Sequence, residues 1–494
     1  MPTFDAATIS DQAVARALPA RRDLFYGGEW HAPAGGYVDT ISPGTGENLG
    51  PVAEANREDV GKAVAAAHAG FLKWRDTKPF ERTAYLRRLA QAMRDNAEEL
   101  ALLDAANCGN PVSPMLKDVY DGADYVDFFA GLTTEVKGVV TPMGPGVVNM
   151  TVHEPLGVCA RILAYNHPFM FMAIKLGAPI AAGNSVIIKP PPQAPLSALR
   201  FFEIAGDILP PGVFNLVTGG LECGIALTEH PQVPSVSLVG SVPSGIAVAK
   251  GAAAQLKHVG LELGGKNALV IYPDADMDKA IDGAIKGMNF LWCGQSCGST
   301  SRLFIHDSVY DRVLEGVLAG IGRHKPGLPT SSDTTMGALI SRAQQDKVLR
   351  YIQIAKEDGA KLVHGGRVPD APELAGGFYV EPTVFVDVTP GMRIAQEEVF
   401  GPILSVLRWS DEDALFEAVN SVDYGLTGSI WTTSLANAHR ASARMEAGYI
   451  WVNGAGPHYL SVPFGGYKMS GMGREESIDE LFSFTETKNI HITL

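Results

Sequence analysis

Three side chains of different chemistry stand where the chain turns. Cys297 lies in "FLWCGQSCGSTSR", Phe290 to Arg302. Glu262 lies in "HVGLELGGKN", between Leu261 and Leu263 and just before two glycines. Asn166 lies in "LAYNHPFMF", between an apolar run and a Pro-containing helix start. A thiol near loop N–H groups is expected to have a lowered pKa and oxyanion donors beside it. A carboxylate ending an apolar strand is partly desolvated, which raises its pKa and suits it to general-base work. An amide can donate to a developing oxyanion. Each residue also has a plainer reading: a buried apolar thiol, a solvated or salt-bridged strand-end Glu, a helix-capping Asn.

The stretch "GAIKGMNFLW" reads as a helix that breaks at Gly294, leaving Cys297 on a loop. Cys293 stands four residues before Cys297. Cys-x-x-x-Cys has the wrong spacing for a zinc knuckle, and no second Cys or His pair lies nearby. Five cysteines in 494 residues do not make a disulfide framework, so a reducing cytoplasm is the expected compartment. Cys293 could form a reversible bond with an oxidised Cys297.

These residues need a scaffold, and the sequence describes one. Helices are expected over 56–69, capped by Asn56, and over 80–99, where Leu86, Leu89, Ala90 and Met93 keep helical spacing. From Gly157 short apolar strands alternate with helices: "GVCARILA", "SVIIKP", "VFNLVTG" and "SVSLVGS" are the strands. That grammar predicts a parallel, doubly wound sheet, with ligands beyond the carboxyl ends of its strands. Asn166, Lys189, Gly219 and Gly240 fall there. Lys189 can reach ribose hydroxyls or a phosphate, and Gly240 and Ser241 sit where helix N-terminal amides hold phosphate. The turn "VTGGLECG" is Gly-rich but does not match G-x-G-x-x-G. A second α/β stretch runs over 262–464, with "NALVIY", "RLFIH", "GFYVEPTVFVDV", "ILSVLRW" and "GSIWT" as strands. The segments "GVVNMTVHEPLG" and "LFSFTETKNIHITL" read as extended. They can pair with each other or with another subunit, or remain ordinary surface strands.

A net charge of −14 gives no electrostatic reason to bind nucleic acid or anionic lipid. The longest apolar runs fall short of the ~20 residues that cross a bilayer. The start "MPTFDAATISDQAVARAL" carries two Asp and no apolar centre, unlike a secretory signal. Taken together, an amide donor, a carboxylate and a thiol beside a strand-end phosphate site describe an enzyme that oxidises a carbonyl through a covalent thio-intermediate.

The same residues carry a resemblance to the NAD(P)-dependent aldehyde dehydrogenase superfamily. "LELGGKN" looks like its glutamate signature and "GQSCGSTSR" like its cysteine signature. "LPPGVFNLVTG", "EEVFGPILSV", "NSVDYGLTGSIWT" and "VPFGGYKMSGMGRE" also fit, in order, from "FYGGEW" to "TETKNI". The resemblance implies an α/β fold of the aldehyde-dehydrogenase type. It has a Rossmann-like cofactor domain (1–136 and 155–261), an α/β catalytic domain (262–465), and a β oligomerisation arm with the C-terminal tail (137–154 and 466–494). It implies a homodimer or homotetramer. Cys297 is expected as nucleophile, Asn166 with the Cys297 N–H as oxyanion donors, Glu262 as base for thioester hydrolysis, and Lys175 beside that glutamate. Lys189 is expected on the adenosine ribose, Ser241 on the pyrophosphate and Glu398 on the nicotinamide ribose with Phe400 nearby. Ile162, Tyr165, Gly219, Gly240, Gly245 and Leu263 complete the cofactor site.

The departures matter. Pro192 stands where many members have a ribose-binding Glu, which leaves room for NADP beside NAD. Leu221 replaces a usual glycine, Tyr165 a usual Trp, and Trp292 a usual Asn. The implied aldehyde tunnel is lined by His167, Met170, Phe171 and Ile174, then by Trp292, Ser296 and Gly298, and by His458 and Phe464. The set is mostly apolar and points to an apolar or aromatic aldehyde. A betaine-aldehyde or semialdehyde dehydrogenase is the alternative, ahead of a CoA-acylating enzyme or a non-catalytic scaffold.

Overall fold

The computed structural model describes residues 11–494. Most of the N-terminal stretch read as lacking a secretory signal therefore lies outside the described residues.

The apolar runs after Gly157 become the centre of an eight-stranded sheet. Its spatial order is 29–31, 24–26, 214–216, 185–189, 158–162, 235–239, 258–262 and 471–472. The five strands from 214–216 to 258–262 are parallel, as the alternation predicts. Val158–Ile162, Ser185–Lys189 and Ser235–Val239 are buried throughout, because helices cover both faces. Register aligns the carboxyl ends: Ile162 lies opposite Lys189 and Leu238, and Val239 opposite Glu262. Three of the expected site residues thus reach one edge of one sheet.

A second, seven-stranded sheet runs 361–364, 383–386, 403–409, 302–306, 268–271, 427–431, 449–452, parallel except for its first pair. The two extended segments pair with each other, except that Leu481–Ser483 of the second belongs to the helix Ile478–Ser483 and only Thr485–Thr493 is strand. Val147–Pro155 and Thr485–Thr493 form an antiparallel ladder from Val147↔Thr493 to Pro155↔Thr485, and Val140–Pro142 adds a third strand. The tail serves two sheets, since Gly471–Met472 closes the edge of the first beside Leu261 and Glu262. Among the described residues, no helix is long and apolar enough to cross a membrane.

Three local expectations are corrected. The helix before the thiol spans Met277–Gly287 and ends well before Gly294. Asn289 turns left-handed (φ 56°), a short 3-10 turn covers Phe290–Trp292, and Cys293 (φ 54°) and Gly294 (φ 67°) turn left-handed again. The chain reverses over several residues rather than at one glycine. The helix expected over 80–99 is two helices, Pro79–Asp95 and Ala97–Cys108, broken at Asn96. In "GFYVEPTVFVDV" only Thr383–Val386 is a strand; Pro382, just before it, offers no N–H for a ladder.

Candidate active site

Cys297 sits in a turn whose shape is held from outside. Asn267 Nδ2 donates to the Cys297 carbonyl at 2.7 Å and to the Ser299 carbonyl at 3.0 Å. The Asn267 Oδ1 accepts the Thr427 N–H at 3.0 Å, which ties the loop to the second sheet. The buried Gln295 amide bonds the Ala338 carbonyl and the Ile340 N–H. Neither residue was singled out from the sequence, although Asn267 ends the quoted motif "LELGGKN". Cys297 keeps some exposure, yet its sulfur is desolvated. The thiol is pushed up to about 12, by burial first and then by Glu262 and Glu398, against the N–H groups of Cys297 and Gly298. The expected lowering is therefore reversed: desolvation and two carboxylates outweigh two amide dipoles. Cys293 is fully buried and its thiol is raised by burial.

Glu262 ends the strand His258–Glu262, 7% exposed. Neither carboxyl oxygen has a hydrogen-bond partner. Burial pushes the carboxyl up to about 8, Lys175 pulls it down, and Glu476 pushes it up. This matches the expected desolvation and raised pKa. Lys175, on the helix Pro168–Ala182, pairs with Glu475. Burial brings the Lys175 ammonium down to about 8. Arg161 completes the group, 3.4 Å from Glu480 and stacked 4.8 Å over the Phe484 ring. Sequence reasoning missed this cluster. Its signals were an Arg inside the apolar run "GVCARILA" and the acidic run "REESIDE".

Asn166 is buried, and the following helix takes His167 as its N-cap with no side-chain cap. Its amide is therefore not spent on capping. The backbone around it is fixed by three residues the sequence did not reveal. Asn110 Nδ2 donates to the Asn166 carbonyl at 2.7 Å, Asp104 accepts the Phe169 N–H at 3.0 Å, and Asp118 bonds the His167 ring at 2.6 Å.

Most of the residues expected to hold the cofactor lie at the carboxyl edge of the first sheet, while Glu398 and Phe400 precede a strand of the second. Lys189 is buried with a single long bond, 3.4 Å to the Pro190 carbonyl, so most of its three donors lack acceptors. Ser241 caps the helix Val242–Ala253 from its N-terminus, directly after Gly240. Gly245 leaves space that Leu263 fills: a Cβ there would lie 2.6 Å from a Leu263 methyl. Ile162 and Leu263 are buried, and Gly219 turns with φ +154°. Glu398 accepts the Gly265 N–H at 3.0 Å, and burial raises its pKa. Gly265, Ser296, Glu398 and Phe400 share one small cleft. Phe400 meets the Tyr165 ring edge-on at 5.9 Å. An underused ammonium, a helix N-terminus and a half-free carboxylate fit a dinucleotide. Pro192 is exposed and Leu221 is 80% exposed.

The expected tunnel residues fall into two aromatic groups. His167 lies 5.6 Å from both Phe171 and Trp292, on the side of Met170 and Ile174. His458 lies 4.3 Å from Phe464 and stacks on Tyr449 at 5.4 Å, with Glu476 on its Nδ1 at 3.1 Å. No ring contact among the described residues joins the two groups. Gly298 is open: a Cβ there would meet only Ser296 Oγ, at 3.8 Å.

Comparison with known proteins agrees with this geometry. Residues 30–490 match the model of the aldehyde dehydrogenase family. The chain is 51% identical to aldehyde dehydrogenase tropH of Talaromyces stipitatus, over 97% of this chain and 95% of that protein. It superimposes on the NAD+ complex of a Bacillus cereus aldehyde dehydrogenase with TM-score 0.94 and 35% identity, over 98% and 99% of the two chains. It matches the P. syringae indole-3-acetaldehyde dehydrogenase AldA, in complex with NAD+ and IAA, with TM-score 0.94 and 36% identity, again over 98% and 99%. The chain belongs to the aldehyde dehydrogenase family.

Proposed function

We propose that this enzyme oxidises an apolar or aromatic aldehyde to the acid with NAD+, through a thioester on Cys297. The observation that carries the reading is Glu262: a buried carboxyl without a hydrogen bond, its pKa at about 8, close enough to raise the Cys297 thiol. A base of that strength is suited to water activation near neutral pH.

Cys297 gives its thiol proton to the Glu262 carboxylate, which passes it to solvent, and attacks the aldehyde carbon, whose oxygen takes hydrogen bonds from the Asn166 amide and the Cys297 N–H. Lys189 and Ser241 would hold the adenosine and pyrophosphate, and Glu398 the nicotinamide ribose, with Tyr165 and Phe400 beside it. NAD+ held there supplies the hydride acceptor. Glu262 then takes a proton from water, which attacks the thioester and releases the acid. Lys175 acts on Glu262 through its charge. The NAD+ complexes of similar enzymes favour this cofactor; Pro192 leaves NADP open. An acyl transfer to CoA needs no such base, so Glu262 argues against it.

We assign the cofactor region to 1–136 with 155–261, the catalytic region to 262–465, and the arm with the C-terminal tail to 137–154 and 466–494. The arm's exposed Val139, Val140 and Met143 suit a homodimer or homotetramer contact. The deciding experiment is a panel of aliphatic and aromatic aldehydes, each run with NAD+ and NADP+. The highest kcat/KM is expected for an aromatic aldehyde with NAD+; acyl-CoA formation with no free acid would reject the reading.

A further inference from the structure

The aromatic group around His167, the residue after Asn166, holds one donor and one acceptor that the protein itself leaves unused. The Trp292 indole nitrogen is buried and has no hydrogen-bond partner. A buried indole N–H normally finds an acceptor. The His167 ring lies 5.6 Å from the Trp292 ring. Its Nδ1 is taken by Asp118 at 2.6 Å, and Asp118 is itself 5% exposed. A carboxylate only accepts, so Nδ1 carries the hydrogen, and in the uncharged form of the ring Nε2 is the lone-pair acceptor. That Nε2 makes no hydrogen bond among the described residues. Both rings stand on the side of Met170, Phe171 and Ile174, and His167 directly follows Asn166.

An adjacent donor and acceptor match a group that is both at once. We propose that Trp292 and His167 read a hydroxyl on the substrate ring: its hydrogen goes to His167 Nε2 and its oxygen accepts the Trp292 N–H. The substrate class is then a hydroxylated aromatic aldehyde, its ring against Phe171. This rests on the aromatic-aldehyde reading above. A methoxy group satisfies Trp292 but gives His167 nothing. A carboxylate has no hydrogen for His167 and faces Asp118 behind that ring. An unsubstituted ring leaves both protein groups unpaired, and sites of this kind reject such analogues. The His458 ring does not enter the argument, because it is stacked within its own aromatic group.

The test follows NADH formation from benzaldehyde and from its 3- and 4-methoxy and 3- and 4-hydroxy derivatives, below the phenol pKa. Hydroxyl and methoxyl are electronically similar, so their ratio isolates the hydrogen given to His167. For at least one ring position we expect kcat/KM to rise about 3–10-fold from unsubstituted to methoxy and again to hydroxy, mostly through KM. In His167→Phe the hydroxy-to-methoxy ratio falls to about one. In Trp292→Phe the methoxy-to-unsubstituted ratio does. Ratios within one variant cancel any loss of active protein, and the wild-type series stands without the variants. A wild-type hydroxy-to-methoxy ratio of one at both positions overturns the proposal, as do variants that keep the wild-type ratios. Oxidation of hexanal but not of benzaldehyde would instead overturn the aromatic reading on which it rests.

Discussion

Lys175 gives its ammonium to Glu475 and leaves the Glu262 carboxyl without a hydrogen bond. That carboxyl is therefore tuned by burial and by the charges around it, not by a direct partner. A carboxyl with its pKa at about 8 is protonated in mild acid, so the hydrolytic step should strengthen as pH rises through about 8 and then level off. Glu262→Gln should form acyl-enzyme but hydrolyse it about 10²–10⁴-fold more slowly. A burst of NADH followed by a slow steady state checks this, and normal turnover would refute it. The same shift affects stability. The folded carboxyl holds its proton more tightly than the ordinary value of 4.5 allows, so its contribution is full below about 4.5 and is lost as pH rises through about 8. Thermal melts of Glu262→Gln should fall less between pH 5 and pH 9 than those of the parent.

Lys175 acts on the proposed base through its charge, which gives it a distinct signature. Its ammonium lowers the Glu262 pKa, against the larger effect of burial. Lys175→Met should move the midpoint of the pH–rate profile to higher pH as well as reduce the plateau. A purely structural role would lower activity without moving the midpoint.

The Arg161 site predicts a stability effect. Arg161 is 2% exposed, 3.4 Å from Glu480 and 4.0 Å from Glu475. Removing one member of a buried ion group leaves an uncompensated charge, at about 3–5 kcal/mol. Arg161→Met should lower the denaturant midpoint accordingly. The double variant Arg161→Met with Glu480→Met should recover much of it, because the stranded carboxylate is gone. Equal losses in the single and double variants would mean that Arg161 matters for packing on Phe484 rather than for charge.

The strand runs after Gly157 were legible because a parallel sheet buried on both faces writes itself as continuous apolar segments. Glu262 was legible for the same reason, as a carboxylate ending such a run. Its neighbours were not. Glu475, Glu476 and Glu480 lie some 300 residues from Lys175 in sequence, and tertiary pairing, the antiparallel edge strand Gly471–Met472 included, brings that segment beside Glu262. The thiol's pKa direction was misread because loop amides are visible in sequence, while desolvation and the converging Glu262 and Glu398 are tertiary facts. Asn110 and Asp118 sit on helices or their approaches with nothing local to set them apart; only the packing of Val112–Gly131 on Pro168–Ala182 aims them at Asn166 and His167.

The free enzyme should be slow to alkylate. With its pKa at about 12, Cys297 is almost wholly thiol at neutral pH, and the thiolate is the reactive form. Iodoacetamide inactivation should accelerate about tenfold per pH unit across the neutral range. After burial, the Glu262 charge is the largest cause of the raised value. Glu262→Gln should therefore alkylate faster than the parent above pH 8, where that charge is present. A plateau near neutral pH in the parent would show a thiolate already formed, contrary to this geometry.

Gly264 offers a test of the proposed cofactor site that leaves Cys297 itself in place. Glu398 is held by one bond, from the Gly265 N–H at 3.0 Å. A Cβ on Gly264 would fall 2.1 Å from its Oε2 and 2.6 Å from its carboxyl carbon. A methyl group cannot coexist with the carboxylate where it stands, so Gly264→Ala must push the carboxylate aside. Displacement of about 1 Å in a positioning group can cost on the order of 10²-fold in rate. If Glu398 holds the nicotinamide ribose, the variant should raise the KM for NAD+ and lower kcat. Alkylation of Cys297 should continue, and slightly faster, since a second carboxylate has moved off the thiol. Glu398→Gln should keep the Gly265 bond and lose only charge, giving a milder defect. A Gly264→Ala enzyme with unchanged NAD+ kinetics would remove Glu398 from the cofactor site.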